Sequence, residues 1–261
     1  MRYRFARFAV LSCSVIVAGL LGCADVRPKQ GLRSDAAVGE VIRPGMFGDN
    51  APADRRRGFF DFWNEQIIHQ NVAVGTVFIG DSITELWELG AYFVPSDGMI
   101  ANRGISGDTA ACMAKRFAAD VLQLRPGNVV VLAGTNDVSR MHEKGVPDDQ
   151  IVQSVVESLT SMMDASRSAG IRTMVCSILP TNSDRKEHKA KKQVVPRINA
   201  ILKQLCAGKG CVYVDYGAGL SDAEGDLPRT YARDGLHPHY AGYAVMADVL
   251  LQAARAHGIH L

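Results

Sequence analysis

Five apolar runs, ending at Ile79, Ala101, Leu132, Ile178 and Val214, alternate along this chain with segments whose apolar residues recur at helical spacing. Met113, Phe117, Val121 and Leu124 make one such stripe, and Ile151, Val155, Leu159 and Met162 another. This alternation constrains the fold more than any single motif. Strands running the same way need crossover connections, and helical crossovers cover both faces of the sheet they join. The expected class is therefore α/β, a parallel sheet between two layers of helix. Pro196 is expected to open a helix carried by Ile198, Ile201, Leu202 and Leu205, with Gly208 at its stop, and a last helix is expected from about Tyr240 to Ala256. The segment Asp54 to Asn71 also reads as helical, with Phe59, Phe62, Trp63, Gln66 and Ile67 as its core-facing stripe. With 47% hydrophobic and 21% charged residues in 261, the chain can bury one extensive core.

In an open parallel sheet, ligands bind beyond the carboxyl ends of the strands. Three polar groups follow the first three apolar runs: Gly80-Asp81-Ser82, Asn102-Arg103-Gly104-Ile105-Ser106-Gly107 and Gly134-Thr135-Asn136-Asp137. All three are expected on one rim. A serine at a strand-to-helix turn sits beside backbone N–H groups that lack helical partners, which favours developing negative charge. The alternative for Asp81 and Ser82 is simple capping. A fourth group, Asp234-Gly235-Leu236-His237, precedes the last helix. An Asp three residues ahead of a His can hold the imidazole Nδ1–H and leave Nε2 free to take a proton from a serine.

These four blocks resemble those of the SGNH branch of the GDSL esterase/lipase family: Gly-Asp-Ser-Ile, Asn-Arg-Gly, Gly-Thr-Asn-Asp and Asp-Gly-Leu-His, spanning Gly80 to His237. The resemblance implies a flavodoxin-like three-layer α/β/α fold, with a five-stranded parallel sheet of order 2-1-3-4-5. It implies Ser82 as nucleophile, His237 as base, Asp234 as its orienter, and Ser82, Gly104 and Asn136 as oxyanion donors, with no cofactor. A Gly-x-Ser-x-Gly elbow is excluded because Thr84 occupies the position of its second glycine. The short Asp234 to His237 spacing points to a shallow site for small acyl groups, with short-chain carboxylic esters, acetyl esters of carbohydrate among them, as substrates. The same resemblance admits lysophospholipids and aryl esters. Two readings from other classes stand beside it: a metal cluster of Asp234, His237 and His239, and a non-catalytic glycan-binding module. Trp87 and Tyr231 belong either to a small pocket or to packing, Arg103 either to loop support or to substrate contact, and Asp184 to Lys192 to a solvated loop.

The N-terminus reads as a secretory signal over residues 1 to 22, with Arg2, Arg4 and Arg7 ahead of the 14-residue apolar run Phe8 to Leu21. Leu20-Leu21-Gly22-Cys23 resembles the lipobox of bacterial lipoproteins, which implies a lipid on Cys23, a tether over 23–52 and a hydrolase domain over 53–261. That would hold the domain at the bacterial cell envelope, facing the periplasm or the exterior. A plain signal peptide and an uncleaved anchor are the alternatives. Without residues 1 to 22 the chain has 26 Lys and Arg against 27 Asp and Glu, so charge gives no support to a nucleic-acid partner. Cys206 and Cys211 flank Ala-Gly-Lys-Gly and are candidates for a small disulfide, while Cys112 and Cys176 are expected in a helix and a buried strand.

Overall fold

The computed structural model describes residues 40–48 and 51–261. Strands β1 (Val74–Gly80), β2 (Met99–Gly104), β3 (Asn128–Leu132), β4 (Arg172–Cys176) and β5 (Val212–Val214) form a sheet ordered β2-β1-β3-β4-β5, every neighbouring pair parallel. The helices are α1 (Arg57–His69), α2 (Ser82–Glu85), α3 (Ala110–Asp120), α4 (Thr135–Glu143), α5 (Asp148–Ser168), α6 (His188–Lys209), α7 (Tyr216–Leu220) and α8 (Tyr240–Ala256). This is the expected class and strand order.

The two-residue period of the strands divides the core in two. Val77, Ile79, Val129, Val131 and Val175 face one way, against Met113 and Phe117 of α3, Val155 and Leu159 of α5, and Ile198 and Leu202 of α6. Phe78, Val130, Leu132, Met174 and Cys176 face the other way, against Tyr243, Met246 and Leu250 of α8. Register aligns Gly80 with both Gly104 and Leu132, so β1, β2 and β3 end level at one rim. The chain leaves β1 toward β2 and leaves β3 toward β4, in opposite directions. The crevice between those departures is where such sheets hold ligands.

Several sequence expectations shift. Helix α6 begins at His188, eight residues before Pro196, and stops at Gly210 (φ 73°) rather than Gly208. Pro196 lacks the N–H that would bond to the Lys192 carbonyl, and both residues lie on the exposed side of the helix. The first turn of α6 thus replaces the end of the expected solvated loop, and Lys191 is buried with its Nζ 2.9 Å from Thr135 Oγ1. Cys206 and Cys211 are free thiols, as are Cys112 in α3 and the buried Cys176 in β4.

Helix α1 turns inward a different face from the one expected, and of the expected stripe only Ile67 is buried. Arg57, Phe60, Asn64 and Ile67 are buried, whereas Phe59, Phe62 and Trp63 are exposed. Polar side chains turn inward because partners wait there. Arg57 pairs with the buried Asp120, Asn64 Oδ1 accepts from Arg103 Nη2 at 2.7 Å, and the Arg103 guanidinium lies 5.1 Å from the Phe60 ring centre. Residues 41–47, expected in the tether, pack on the domain: Ile42 N donates to Gln123 Oε1 at 2.8 Å, Arg43 pairs with Glu65 at 2.9 Å, and Phe47 N donates to Asp54. The signal segment, Cys23 and the rest of the tether up to residue 39 lie outside the described residues.

Candidate active site

Ser82 follows β1 by two residues and opens α2, which is a single turn rather than a long helix. Asp81 caps that turn, its Oδ1 accepting from Ile83 N at 2.9 Å, and burial pushes its carboxyl up to about 7. At the far end of the domain sequence, Asp234 Oδ1 accepts from the backbone N–H groups of Leu236 (3.0 Å) and His237 (2.8 Å), folding the loop back on itself. That leaves Asp234 Oδ2 at 2.6 Å from His237 Nδ1, and His237 Nε2 at 2.9 Å from Ser82 Oγ. Burial alone would raise the Asp234 carboxyl; the hydrogen bonds from His237 and Leu236 outweigh it and bring it down to about 2. An ionised carboxylate on Nδ1 selects the tautomer whose Nε2 accepts a proton. Residues 155 positions apart therefore form one continuous chain of hydrogen bonds.

The second block is divided differently from expectation. The Gly104 N–H is committed to Asn102 Oδ1 at 2.9 Å, within β2. Its missing Cβ makes room for protein, not ligand: a Cβ there would lie 2.2 Å from Glu85 N and 2.6 Å from Glu85 Cα, both backbone atoms of α2. Gly104→Ala is expected to cost about 1–3 kcal/mol through overpacking, read as a lowered Tm, and to lower turnover because the turn carrying Ser82 must move. An unchanged Tm and kcat would show that α2 yields freely.

Three residues on, Gly107 holds φ 79° and its N–H has no acceptor among the described residues, nor has that of Ser82. The Asn136 side-chain Nδ2 donates to Asp108 O at 2.9 Å, which binds the loop after β2 to the start of α4 and leaves the second amide hydrogen uncommitted. Asn136 is thus brought to the loop that holds Gly107. The signal for Gly107 was present in Ile105-Ser106-Gly107-Asp108, since a glycine in a tight turn after a strand commonly supplies a positive φ.

Other candidates fall outside this cluster. Trp87 is buried and stacks on Tyr243 at 5.3 Å. Tyr231 packs against the same core and its carbonyl accepts from His239 N. His239 Nδ1 accepts from Ala241 N and caps α8, while Arg103 is buried between Asn64 and Phe60. Among the described residues no group of His, Cys, Asp and Glu is arranged to hold a metal ion. A cleft of 250 Å³ opens beside the site, lined by Pro52, Arg55, Arg56, Phe59, Glu85, Ile105 and Ser106. Its Pro52 wall lies 3.6 Å from where a Gly107 Cβ would stand. A second hollow of 270 Å³ runs along Ile178 to Thr181 and the start of α6, and neither cavity is lined by Ser82, Asp234 or His237 themselves.

Residues 78–245, most of the sheet and all four blocks, match the model of the GDSL-like lipase/acylhydrolase family. The chain belongs to that family. An acetylxylan esterase from Geobacillus stearothermophilus is 24% identical over 200 residues, covering 67% of this chain and 91% of the relative. A GDSL-like lipase from Bacteroides thetaiotaomicron superposes with a TM-score of 0.60 at 26% identity, over 74% of this chain and 98% of the other. A catalytic mutant of a Geobacillus stearothermophilus acetylxylan esterase superposes with a TM-score of 0.58 at 20% identity, over 69% and 95%. Fold and sequence agree on an ester hydrolase of the GDSL type.

Proposed function

We propose that the chain is a serine esterase that cleaves short-chain carboxylic esters, acetyl esters of carbohydrate foremost, through an acyl-enzyme. The observation that carries this reading is the run of hydrogen bonds from Ser82 Oγ through His237 to Asp234. Serine is a weak nucleophile until a neighbouring base takes its proton. His237 Nε2 removes it as Oγ attacks the ester carbonyl, and Asp234 stabilises the imidazolium that results. His237 then returns the proton to the departing alkoxide, leaving acyl-Ser82. Water attacks next, giving its proton to the same nitrogen, and the acid and free serine are regenerated.

Each attack puts negative charge on the carbonyl oxygen, which is best met by donors already in place. Ser82 N–H, Gly107 N–H and the free hydrogen of the Asn136 amide fill that role. Gly107 takes the part first given to Gly104, whose N–H is engaged by Asn102. Asn136→Ala is expected to lower kcat about 100- to 1000-fold with little change in KM, measured with p-nitrophenyl acetate. An equal loss in KM alone would remove Asn136 from the transition state.

The substrate class follows from the open site and from the acetylxylan esterase relative. His237 and Asp234 are partly exposed, which leaves the acyl group of a bound ester near open solvent. A series of p-nitrophenyl esters from acetate to octanoate, run beside acetylated xylan, tests the preference. The highest kcat/KM is expected on acetate, with acetate released from the polysaccharide. Faster cleavage of octanoate than of acetate would overturn it. Lipidation of Cys23 completes the reading by attaching the enzyme to the cell envelope; two or more acyl chains on one residue suffice for stable anchoring.

A further inference from the structure

We infer that the outward face of α1 docks on a phospholipid bilayer, so that the anchored domain lies against the membrane rather than swinging free of it. Phe59, Phe62 and Trp63 stand at i, i+3 and i+4 and so share one side of the helix. Their exposures are 61%, 60% and 39%, and among the described residues nothing covers them. Three adjacent exposed aromatics are more than the scatter of single apolar residues on an ordinary surface, and clusters of this kind mark an interaction site.

The path of the chain identifies the occupant. Arg43 pairs with Glu65, so the segment entering the domain runs beside α1, and that segment itself exposes Ile42 and Met46. Upstream lie Cys23 and the apolar run Phe8 to Leu21. From Cys23 to Glu40 the chain can span at most about 60 Å, and it arrives between this helix and Gln123, whose Oε1 accepts from Ile42 N. Charge is also suited: Arg55, exposed at the start of α1, has no acidic partner among the described residues and can meet a lipid phosphate. Among the described residues no helix is long and apolar enough to cross a membrane. Contact is therefore of the surface-lying kind, with aromatic rings at headgroup depth. Phe59 also lines the 250 Å³ cleft, which places the docked face at the edge of the site.

The docking rests on the anchoring proposed at the N-terminus, and one experiment separates the two. The chain holds two tryptophans, Trp63 and the buried Trp87, 3% exposed. The full chain is reconstituted into phosphatidylcholine–phosphatidylglycerol vesicles with or without brominated acyl chains, and tryptophan emission is recorded. Bromolipid is expected to quench a component that Trp63→Phe abolishes and that Phe62→Ser weakens. Cosedimentation with vesicles but no quenching would sink the docking and leave the anchor standing. Failure to cosediment would sink both. Quenching that is lost on adding acetylated xylan, or self-association that Phe62→Ser dissolves, would assign the face to a glycan or to a second copy and overturn the proposal.

Discussion

Ser82→Ala is expected to lower kcat for p-nitrophenyl acetate by about six orders of magnitude and to abolish labelling by a fluorophosphonate. The size follows from the way the three side chains act as a unit. Without Oγ there is no acyl acceptor, and His237 and Asp234 can only assist direct attack by water. The backbone donors remain, so a residual rate above the uncatalysed one is expected. The fold should be indifferent. The Ser82 hydroxyl bonds to His237 and to no structural partner, so the change in stability should stay within about 1.5 kcal/mol. Retention of more than a hundredth of the activity, or of the label, would place the nucleophile elsewhere.

The largest effect on stability is expected at a residue that touches neither Ser82 nor His237. Arg116 on α3 is fully buried, with Nε 2.8 Å from Asp108 Oδ2 and Nη1 2.8 Å from Asp120 Oδ2. Its Nη2 donates to Gly80 O at 3.1 Å, the last residue of β1, and to Arg103 O at 2.9 Å, the last but one of β2. One planar fork thus clamps two strand ends and the loop whose Asp108 carbonyl holds Asn136. Arg116→Leu removes five N–H donors and leaves the Asp108 carboxylate buried without its cation. Breaking a buried pair in this way costs about 3–5 kcal/mol, a fall in Tm of about 6–20 °C for a domain of this size.

The dependence on pH supplies a second readout. Burial already pushes the Asp108 carboxyl up even though Arg116 draws it down, and without the guanidinium it rises further. A carboxyl with a raised native pKa binds its proton more tightly folded than unfolded, so its stabilising effect is present at low pH and is lost as pH rises through that value. The deficit of Arg116→Leu should therefore be full above that raised value and shrink as pH falls toward about 4. Arg116→Lys, which keeps the charge but not the fork, should fall between the two. A Tm unchanged in both variants would show the clamp to be dispensable.

Local order was legible where one physical rule acts alone. The period of apolar residues separated strands from helices, and the crossover requirement made the sheet parallel, so the class and the rim of the site could be stated before any coordinates. The link from Asp234 to His237 was equally local, because three residues of one loop can close it without help. Helix α1 failed by the same logic. Apolar spacing chose Phe59, Phe62, Trp63, Gln66 and Ile67 as its inner face and was right only at Ile67, while the fold buried Arg57 and Asn64 for the sake of Asp120 and Arg103, partners 63 and 39 positions away. A hydrophobic stripe cannot foresee a buried ionic partner.

Gly104 and Gly107 draw the same boundary more finely. Both are glycines of one loop region, and the motif alone favoured the first. Which backbone N–H is spent and which is open depended on the Asn102 side chain and on the closeness of Glu85 to β2, neither of which has a sequence period. By itself the sequence determined the layers, the order of blocks along the rim and the chemical types gathered there, since these follow from short-range pattern. Only the folded chain decided which donors face solvent, which helix face is left bare and which arginine holds the rim together, because each is settled by contacts between segments far apart, where burial, charge and space are resolved together.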